Sequence, residues 1–318
     1  MSEMSFSQKR NYLAALESIV RAVGSSVLNL RGTEIADTHY YKGHESSTID
    51  VFARDRMREA IDCFLPKFEG IVRFELQPYS IKHLEAQEHC PMALIIDEID
   101  GTTNTKRCLA ATLEYRPPAL ISIALSLTES LGDLIVGAVY TLDRGEVFSA
   151  LKVADEEYMT FCNRRVIFPE EVISTLGDSQ RRIYVIGYSN SHRLQKGQLE
   201  QALYDQKFRV YEGCRASGMD IIGLLRNATD AYVDLRSYWS TRDESGEEKE
   251  AMLEVFDIAG VIPIAVGCGM MVTDAEGEPW TKYTLQDTIP LVISRPDIHS
   301  KILEAIRPLV DEWKVKST

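Results

Sequence analysis

This sequence lacks the features that mark secreted, membrane-spanning and zinc-binding proteins. Its six cysteines are scattered without a C-x-x-C pair, which argues against a zinc site, and a disulfide framework is not expected in a chain this long. No signal-peptide hydrophobic region opens it, and no apolar run is long enough to span a bilayer. We therefore expect a cytoplasmic protein with reduced thiols.

Positive charge is also scarce. Lys and Arg number 35 against 48 Asp and Glu, which gives a net charge of −13. That balance argues against a nucleic acid or an anionic membrane as the main partner. The 318 residues, 45% apolar and 26% charged, are typical of a soluble globular protein with one or two domains. A phosphate-bearing substrate would need local positive charge, which a bound metal can supply.

The most informative stretch is ALIIDEIDGTTNT, residues 93–105. Four apolar residues predict a short buried strand, which ends in Asp97 and Asp100. Gly101 permits a sharp turn, and the Thr and Asn residues that follow favour the start of a helix. Two carboxylates three residues apart can bind a hard cation such as Mg²⁺, and the first N–H groups of a helix can hold a phosphate. The segment therefore predicts a metal-assisted phosphatase.

The motif Asp97-x-Ile99-Asp100-Gly101-Thr102-Thr103-Asn104 resembles the D-P-I-D-G-T-T-N signature of the inositol monophosphatase superfamily, which are Mg²⁺-dependent, lithium-sensitive phosphatases. A second match is Phe256-Asp257-Ile258-Ala259-Gly260, which is similar to the family's W-D-x-A-A-G. Glu98 replaces the family's Pro, and Phe74-Glu75-Leu76 stands where the family has G-E-E. The resemblance covers residues 42–305.

The resemblance implies a set of site residues. The implied ligands of two or three Mg²⁺ ions, with Mn²⁺ as an alternative, are Glu75, Asp97, the Ile99 carbonyl, Asp100 and Asp257. Thr102 and Asp55 are expected to orient the attacking water. The residues expected to bind the substrate are Gly101, Thr102, Thr103, Arg215, Ser217 and Asp234.

The resemblance and the apolar pattern together predict an α+β fold, a layered αβαβα sandwich. Two amphipathic helices are expected near residues 6–32 and 50–65. The predicted domains are an N-terminal α+β domain, 1–165, with the DxIDGTTN site, and a C-terminal α/β domain, 166–318, with Asp257 and the substrate side. The polar residues 151–180 are expected to contain the boundary.

The predicted function is hydrolysis of a small phosphate monoester, a phosphorylated polyol or sugar, by metal-activated water, with inositol 1-monophosphate as the first candidate and a homodimer as the expected assembly. The alternatives are a fructose-1,6-bisphosphatase, a phosphoadenosine-nucleotide phosphatase, or a degenerate homologue that binds phosphate or protein without turnover. The acidic stretch 238–254 looks like an insertion. It is expected to be a solvated loop or a lid, in which Trp239 could stack on the substrate.

Overall fold

A computed structural model of the chain describes residues 4–30, 38–41, 44–64, 72–76, 92–110, 116–172, 181–185, 193–239 and 253–317. The helices are α1 Phe6–Leu28, α2 Thr48–Phe64, α3 Thr102–Ala110, α4 Pro169–Val172, α5 Arg193–Asp205, α6 Ser217–Leu225, α7 Val255–Ala259, α8 Ile262–Gly267 and α9 Pro296–Ser317. The strands are β1 Thr38–Tyr41, β2 His44–Ser47, β3 Val72–Leu76, β4 Met92–Asp100, β5 Leu120–Ser126, β6 Leu134–Thr141, β7 Val147–Ala154, β8 Glu157–Cys162, β9 Arg165–Ile167, β10 Arg182–Val185, β11 Arg209–Glu212, β12 Ala231–Asp234, β13 Met271–Asp274 and β14 Leu291–Ser294.

Among the described residues, the larger sheet has seven strands in the order of the chain, β3 to β9. In the part of the sheet that the structure describes, β3 and β4 are parallel and every later pair is antiparallel. The connections from β5 onward are short, which suits antiparallel neighbours. The central strands β4, β5 and β6 are buried along their whole length, so both faces of the sheet are covered at its centre.

The smaller sheet, as far as the structure describes it, has five strands in the order β11-β10-β12-β14-β13. β10 runs parallel to both β11 and β12, whereas β14 is antiparallel to β12 and β13. The two sheets therefore use separate parts of the chain, 72–167 and 182–294. The division into domains near residue 165 stays a prediction.

Three apolar cores define the layers. Alternate residues of the larger sheet, such as Ile96 and Ile123, pack against α1 and α2. Their neighbours, such as Ile95 and Ala124, face a second core with α6, α7, α8 and one face of the smaller sheet. The other face of the smaller sheet packs against α5 and α9. The order helix, sheet, helix, sheet, helix confirms the predicted α+β sandwich.

The polar region 151–180 was expected to hold a domain boundary, but its first part continues the larger sheet. β8 begins at Glu157 and alternates exposed and buried side chains, with Tyr158 and Thr160 inward. Such alternation is typical of a strand with one solvated face. Because polar residues flank the strand at both ends, the mean hydropathy of the region is low, and the sequence alone suggests a linker.

None of the helices among the described residues is long and apolar enough to cross a membrane. The five cysteines in the described part of the chain are free thiols.

Candidate active site

The DxIDGTTN motif lies where β4 meets α3. The pairing of β4 with β5 shifts register between Asp97 and Asp100, so a bulge lies between the two carboxylates. Gly101 follows with a φ of +95°, and a Cβ there would lie 3.0 Å from the Cβ atoms of Ala119 and Ala216. Glycine is therefore required on both conformational and steric grounds, and it directs the chain from the strand into α3.

Asp257 reaches the same place from the short helix α7. It occupies the third helical position, where its Oδ2 accepts a hydrogen bond from the Glu254 N–H at 3.2 Å. Glu254, three residues before Asp257, is the N-cap of α7. α7 packs against β4 and β5, which brings Asp257 to the end of β4.

One pocket contains most of the predicted site. Its lining residues are Asp97, Ile99, Asp100, Gly101, Thr102, Thr103, Arg215, Ser217, Arg236 and Asp257. Asp97 and Asp100 are buried and Asp257 is partly buried. The N-terminus of α3 therefore shares a wall with three carboxylates that come from segments about 160 residues apart in sequence.

Burial is the largest cause that raises the pKa of each of these three carboxyl groups. Repulsion by Asp100 and Asp257 raises the pKa of Asp97 further, and Asp100 does the same to Asp257. The backbone N–H of Gly218 donates to Asp100 Oδ2 at 2.6 Å and opposes the rise. Carboxylates that are crowded and desolvated in this way favour either protonation or a bound cation.

The chemistry of the donor set fits a hard divalent cation, because carboxylate oxygens and the Ile99 carbonyl are the oxygen ligands that Mg²⁺ prefers. Within the described part of the chain, no three acidic, His or Cys side chains lie close enough to form a complete site by themselves. Glu75 is on β3, opposite Ile95 of β4, and its side chain lies outside the described residues. The described carboxylates therefore fit part of a ligand set.

Thr102 has its hydroxyl fixed by two neighbours. Its Oγ1 lies 2.8 Å from Asp50 Oδ1 and 3.1 Å from the Ile99 carbonyl. The partner predicted from the sequence was Asp55, and that choice was wrong. Asp55 is 56% exposed and lies 3.8 Å from Arg58. The five-residue separation turns it away from the helix face that carries Asp50.

Another part of the pocket lining comes from the start of α6 and from the segment that follows β12. Ser217 is buried, and Arg215 is exposed with a φ of +64°. Asp234, predicted to bind substrate, does not line the pocket. Its carboxylate is fully buried and accepts hydrogen bonds from Tyr232 Oη at 2.9 Å and from Arg236 Nη2 at 2.6 Å. Asp234 thus positions Arg236, and Arg236 lines the pocket where Asp234 was predicted to do so.

Sequence reasoning missed Arg236 and the role of Asn104. The Arg236 guanidinium is 5% exposed and lies 3.3 Å from Ser217 Oγ; the only sequence signal was its spacing of two from Asp234. Asn104 donates from Nδ2 to the carbonyls of Pro118 and Cys214, at 3.0 and 2.8 Å. The last residue of the motif thereby ties α3 to the loops that precede β5 and α6.

The expectation for Trp239 is also corrected. Its ring is buried at 2% exposure and packs edge-on against Trp313 of α9, with centroids 5.8 Å apart. It is therefore a core residue and cannot stack on a substrate. Residues 240–252 of the acidic stretch lie outside the described residues.

Comparison with known proteins finds no matching family model and no matching curated protein. Solved structures do match. Extragenic suppressor protein SuhB from Bartonella henselae is 16% identical with a TM-score of 0.61, over 94% of this chain and 98% of that one. Inositol monophosphatase from Anabaena (Nostoc) is 17% identical with a TM-score of 0.62, over 94% and 96%. Inositol monophosphatase II from Staphylococcus aureus is 16% identical with a TM-score of 0.61, over 91% and 93%. The resemblance seen in the motifs is confirmed at the level of the fold.

Proposed function

We propose that this chain, which has the fold of the inositol monophosphatases, is a Mg²⁺-dependent phosphomonoesterase that hydrolyses a small phosphate ester. The observation that carries the proposal is the pocket in which Asp97, Asp100 and Asp257 share a wall with the N-terminus of α3. The carboxylates would hold the cation and the helix N-terminus would hold the phosphate, so the two requirements of metal-assisted phosphoryl transfer meet in one cavity.

Asp97, Asp100, Asp257 and the Ile99 carbonyl would hold two or three Mg²⁺ ions, with Glu75 as a further candidate and Mn²⁺ as a substitute. When bound, such ions stabilise the negative charge of the transferring phosphoryl group and lower the pKa of water. The backbone N–H groups of Gly101, Thr102 and Thr103 would bind the phosphate oxygens, because the first N–H groups of a helix have no partner within it.

Asp50 and Thr102 would handle the proton of the attacking water. Because the Thr102 hydroxyl donates to Asp50 Oδ1 at 2.8 Å, a lone pair on Oγ1 remains to accept a hydrogen bond from water. As water attacks phosphorus and the ester P–O bond breaks, Thr102 can accept the proton of the water and pass its own to Asp50, and the leaving alkoxide takes a proton from solvent. No covalent intermediate with the protein is required.

Inositol 1-monophosphate remains the first candidate substrate. It is supported by the motif resemblance and by a similar structure, SaIMPase-II, described with inositol monophosphate bound. SaIMPase-II is also described with 2′-AMP bound, which keeps phosphoadenosine compounds among the candidates. A homodimer and a small phosphorylated polyol or sugar as partner stay part of this proposal.

A second candidate is an ester that carries another anionic group. Asp234 would be the acceptor for polyol hydroxyls, but Arg236 and Tyr232 occupy its oxygens. The Arg236 guanidinium is already paired with Asp234, but the pocket also contains the exposed Arg215, and a guanidinium group suits phosphate or carboxylate. This arrangement favours fructose 1,6-bisphosphate or a 3′,5′-phosphoadenosine nucleotide.

A panel assay with Mg²⁺ tests both candidates. We expect phosphate release from inositol 1-monophosphate, fructose 1,6-bisphosphate or 3′-phosphoadenosine 5′-phosphate, with one kcat/KM clearly above the others. Arg215→Gln would lower kcat/KM for a bisphosphate and leave the inositol ester unchanged if the second candidate is right. Arg164→Gln, an exposed arginine on the β8–β9 turn, is the control. No metal-dependent release from any ester would favour the degenerate homologue.

A further inference from the structure

Glu98 is the one residue of the signature that departs from the family pattern, and it is buried. It lies between Ile99 and Asp97 with 1% exposure, inside the bulge of β4. A carboxylate in such a place requires compensation, because burial of a charge without a partner is strongly unfavourable.

Arg54 on α2 supplies this compensation at Oε1, whereas Glu98 Oε2 is buried and has no hydrogen-bond partner among the described residues. Arg54 Nε donates to Glu98 Oε1 at 2.9 Å, and the two side chains are only 14% and 2% exposed. Arg54 lies four residues after Asp50, so both side chains project from the same face of α2. Asp50 in turn accepts the hydrogen bond from Thr102. One helix face therefore makes two polar contacts with the segment 98–102.

These two contacts constrain α2 in a way that its apolar contacts do not. The helix buries Ile49, Ala53, Met57, Ala60 and Ile61, a set with two small residues and a flexible Met, and apolar burial has no direction. A charged hydrogen bond does have direction. Buried ion pairs add little net stability, so Glu98 is expected to contribute to the position of α2 and not to stability.

We propose that Glu98 is a positioning residue: through Arg54 it sets the rotation and height of α2 so that Asp50 meets the Thr102 hydroxyl. The inference rests on the proposed function, in which Asp50 and Thr102 orient the attacking water. Displacing a water-orienting group by about 1 Å can lower the rate roughly a hundredfold. Glu98 would thus act on turnover without touching substrate.

The test compares Glu98→Ala with Glu98→Gln in steady-state hydrolysis of a phosphate monoester with Mg²⁺. Glu98→Ala removes the acceptor, so we expect kcat to fall about tenfold to a hundredfold with KM little changed. Glu98→Gln keeps an oxygen that can accept a hydrogen bond from Arg54, so this variant should retain most of the wild-type kcat. The control is Arg56→Met, which breaks the exposed Arg56–Glu59 pair on the same helix and should have no effect.

A double-mutant cycle separates positioning from a merely structural role. In an Asp50→Asn background, Glu98→Ala should cause little further loss of kcat, because the group that it positions is already inactive. If the losses of kcat in the two single variants multiply in the double variant, or if Glu98→Ala has a normal kcat, the inference is overturned. The phosphatase proposal would remain intact in both cases. If Glu98→Ala does not fold, the cycle is run with Arg54→Lys, for which the same outcomes apply. A wild-type protein without turnover would overturn the proposed function and this inference together.

Discussion

The Thr102 hydroxyl lies 2.8 Å from the carboxylate of Asp50, a residue 52 positions earlier in the chain. The contact joins α2 to α3 across the end of β4, beside the three carboxylates of the pocket. Under the proposed function, Thr102 and Asp50 are the two side chains that would take a proton from the attacking water.

We expect Asp50→Asn and Thr102→Ala each to lower kcat by about 100-fold or more, the range typical of lost general base catalysis, with a smaller change in KM. The double variant should be little worse than either single one, because the two groups act as a unit. Asp55→Asn on the same helix is the control and should retain wild-type turnover. A loss of activity in Asp55→Asn equal to that in Asp50→Asn would contradict the assignment of Asp50, and not Asp55, as the partner of Thr102.

The crowded carboxylates predict opposite changes in activity and stability. Asp97→Asn, Asp100→Asn and Asp257→Asn should each lower kcat by several orders of magnitude, since charge stabilisation is the main catalytic contribution. In metal-free buffer each variant should be at least as stable as the wild type, because an amide removes a desolvated charge and its repulsion. Thermal unfolding checks this, with exposed Asp62→Asn as the control. A variant with normal turnover would remove that residue from the site.

The buried pair of Asp234 and Arg236 predicts a stability cycle. Arg236→Gln leaves the fully buried Asp234 carboxylate without its guanidinium and should lower the free energy of unfolding by about 3–5 kcal/mol. The double variant Asp234→Asn, Arg236→Gln removes both charges and should recover most of that loss. Urea unfolding measures the difference. Equal destabilisation in the single and double variants would mean that the charge pair is not the cause.

His299 predicts an acid-dependent loss of stability that is independent of the active site. Its ring lies between Ser294 Oγ and Thr273 Oγ1, at 2.7 and 2.9 Å, and burial lowers its pKa to about 4. Between that value and the ordinary pKa of about 6.5, the unfolded chain binds more protons, so stability falls as the pH drops. The contribution is absent at pH 7 and should reach about 1–2 kcal/mol at pH 5.

The measurement is the urea midpoint of wild type and His299→Gln at pH 7 and pH 5. The variant should lose less stability than the wild type over this interval, although it starts less stable at pH 7. Parallel pH profiles for the two proteins would show that His299 is not protonated on unfolding.

Local residue preferences were sufficient to predict the structure of the motif at 97–104, because the strand, the turn and the start of the helix each depend on neighbouring residues. They also placed α2 to within two residues of its bounds. They failed where the answer depends on helix phase or on tertiary contacts. Asp50 and Asp55 are both acids on one helix, and only the packing of α2 decides which of them faces Thr102.

Two further failures share that cause. The family resemblance implies that Asp234 binds substrate, and Asp234 is only two residues from Arg236, which lines the pocket. The burial of Asp234 beneath Arg236 arises from the fold of the chain after β12. Trp239 sits in an acidic stretch that suggests a surface loop, yet its ring contacts Trp313, which is 74 residues away. No local pattern encodes that contact.

The most direct test of the central claim is phosphate release from one small monoester by wild-type protein and Asp257→Asn, with Mg²⁺, with a chelator, and after Mg²⁺ is restored. We predict release by the wild type that stops with the chelator, returns with Mg²⁺ and is nearly absent in Asp257→Asn. Release that persists in the chelator, or equal release by wild type and Asp257→Asn, would contradict the account.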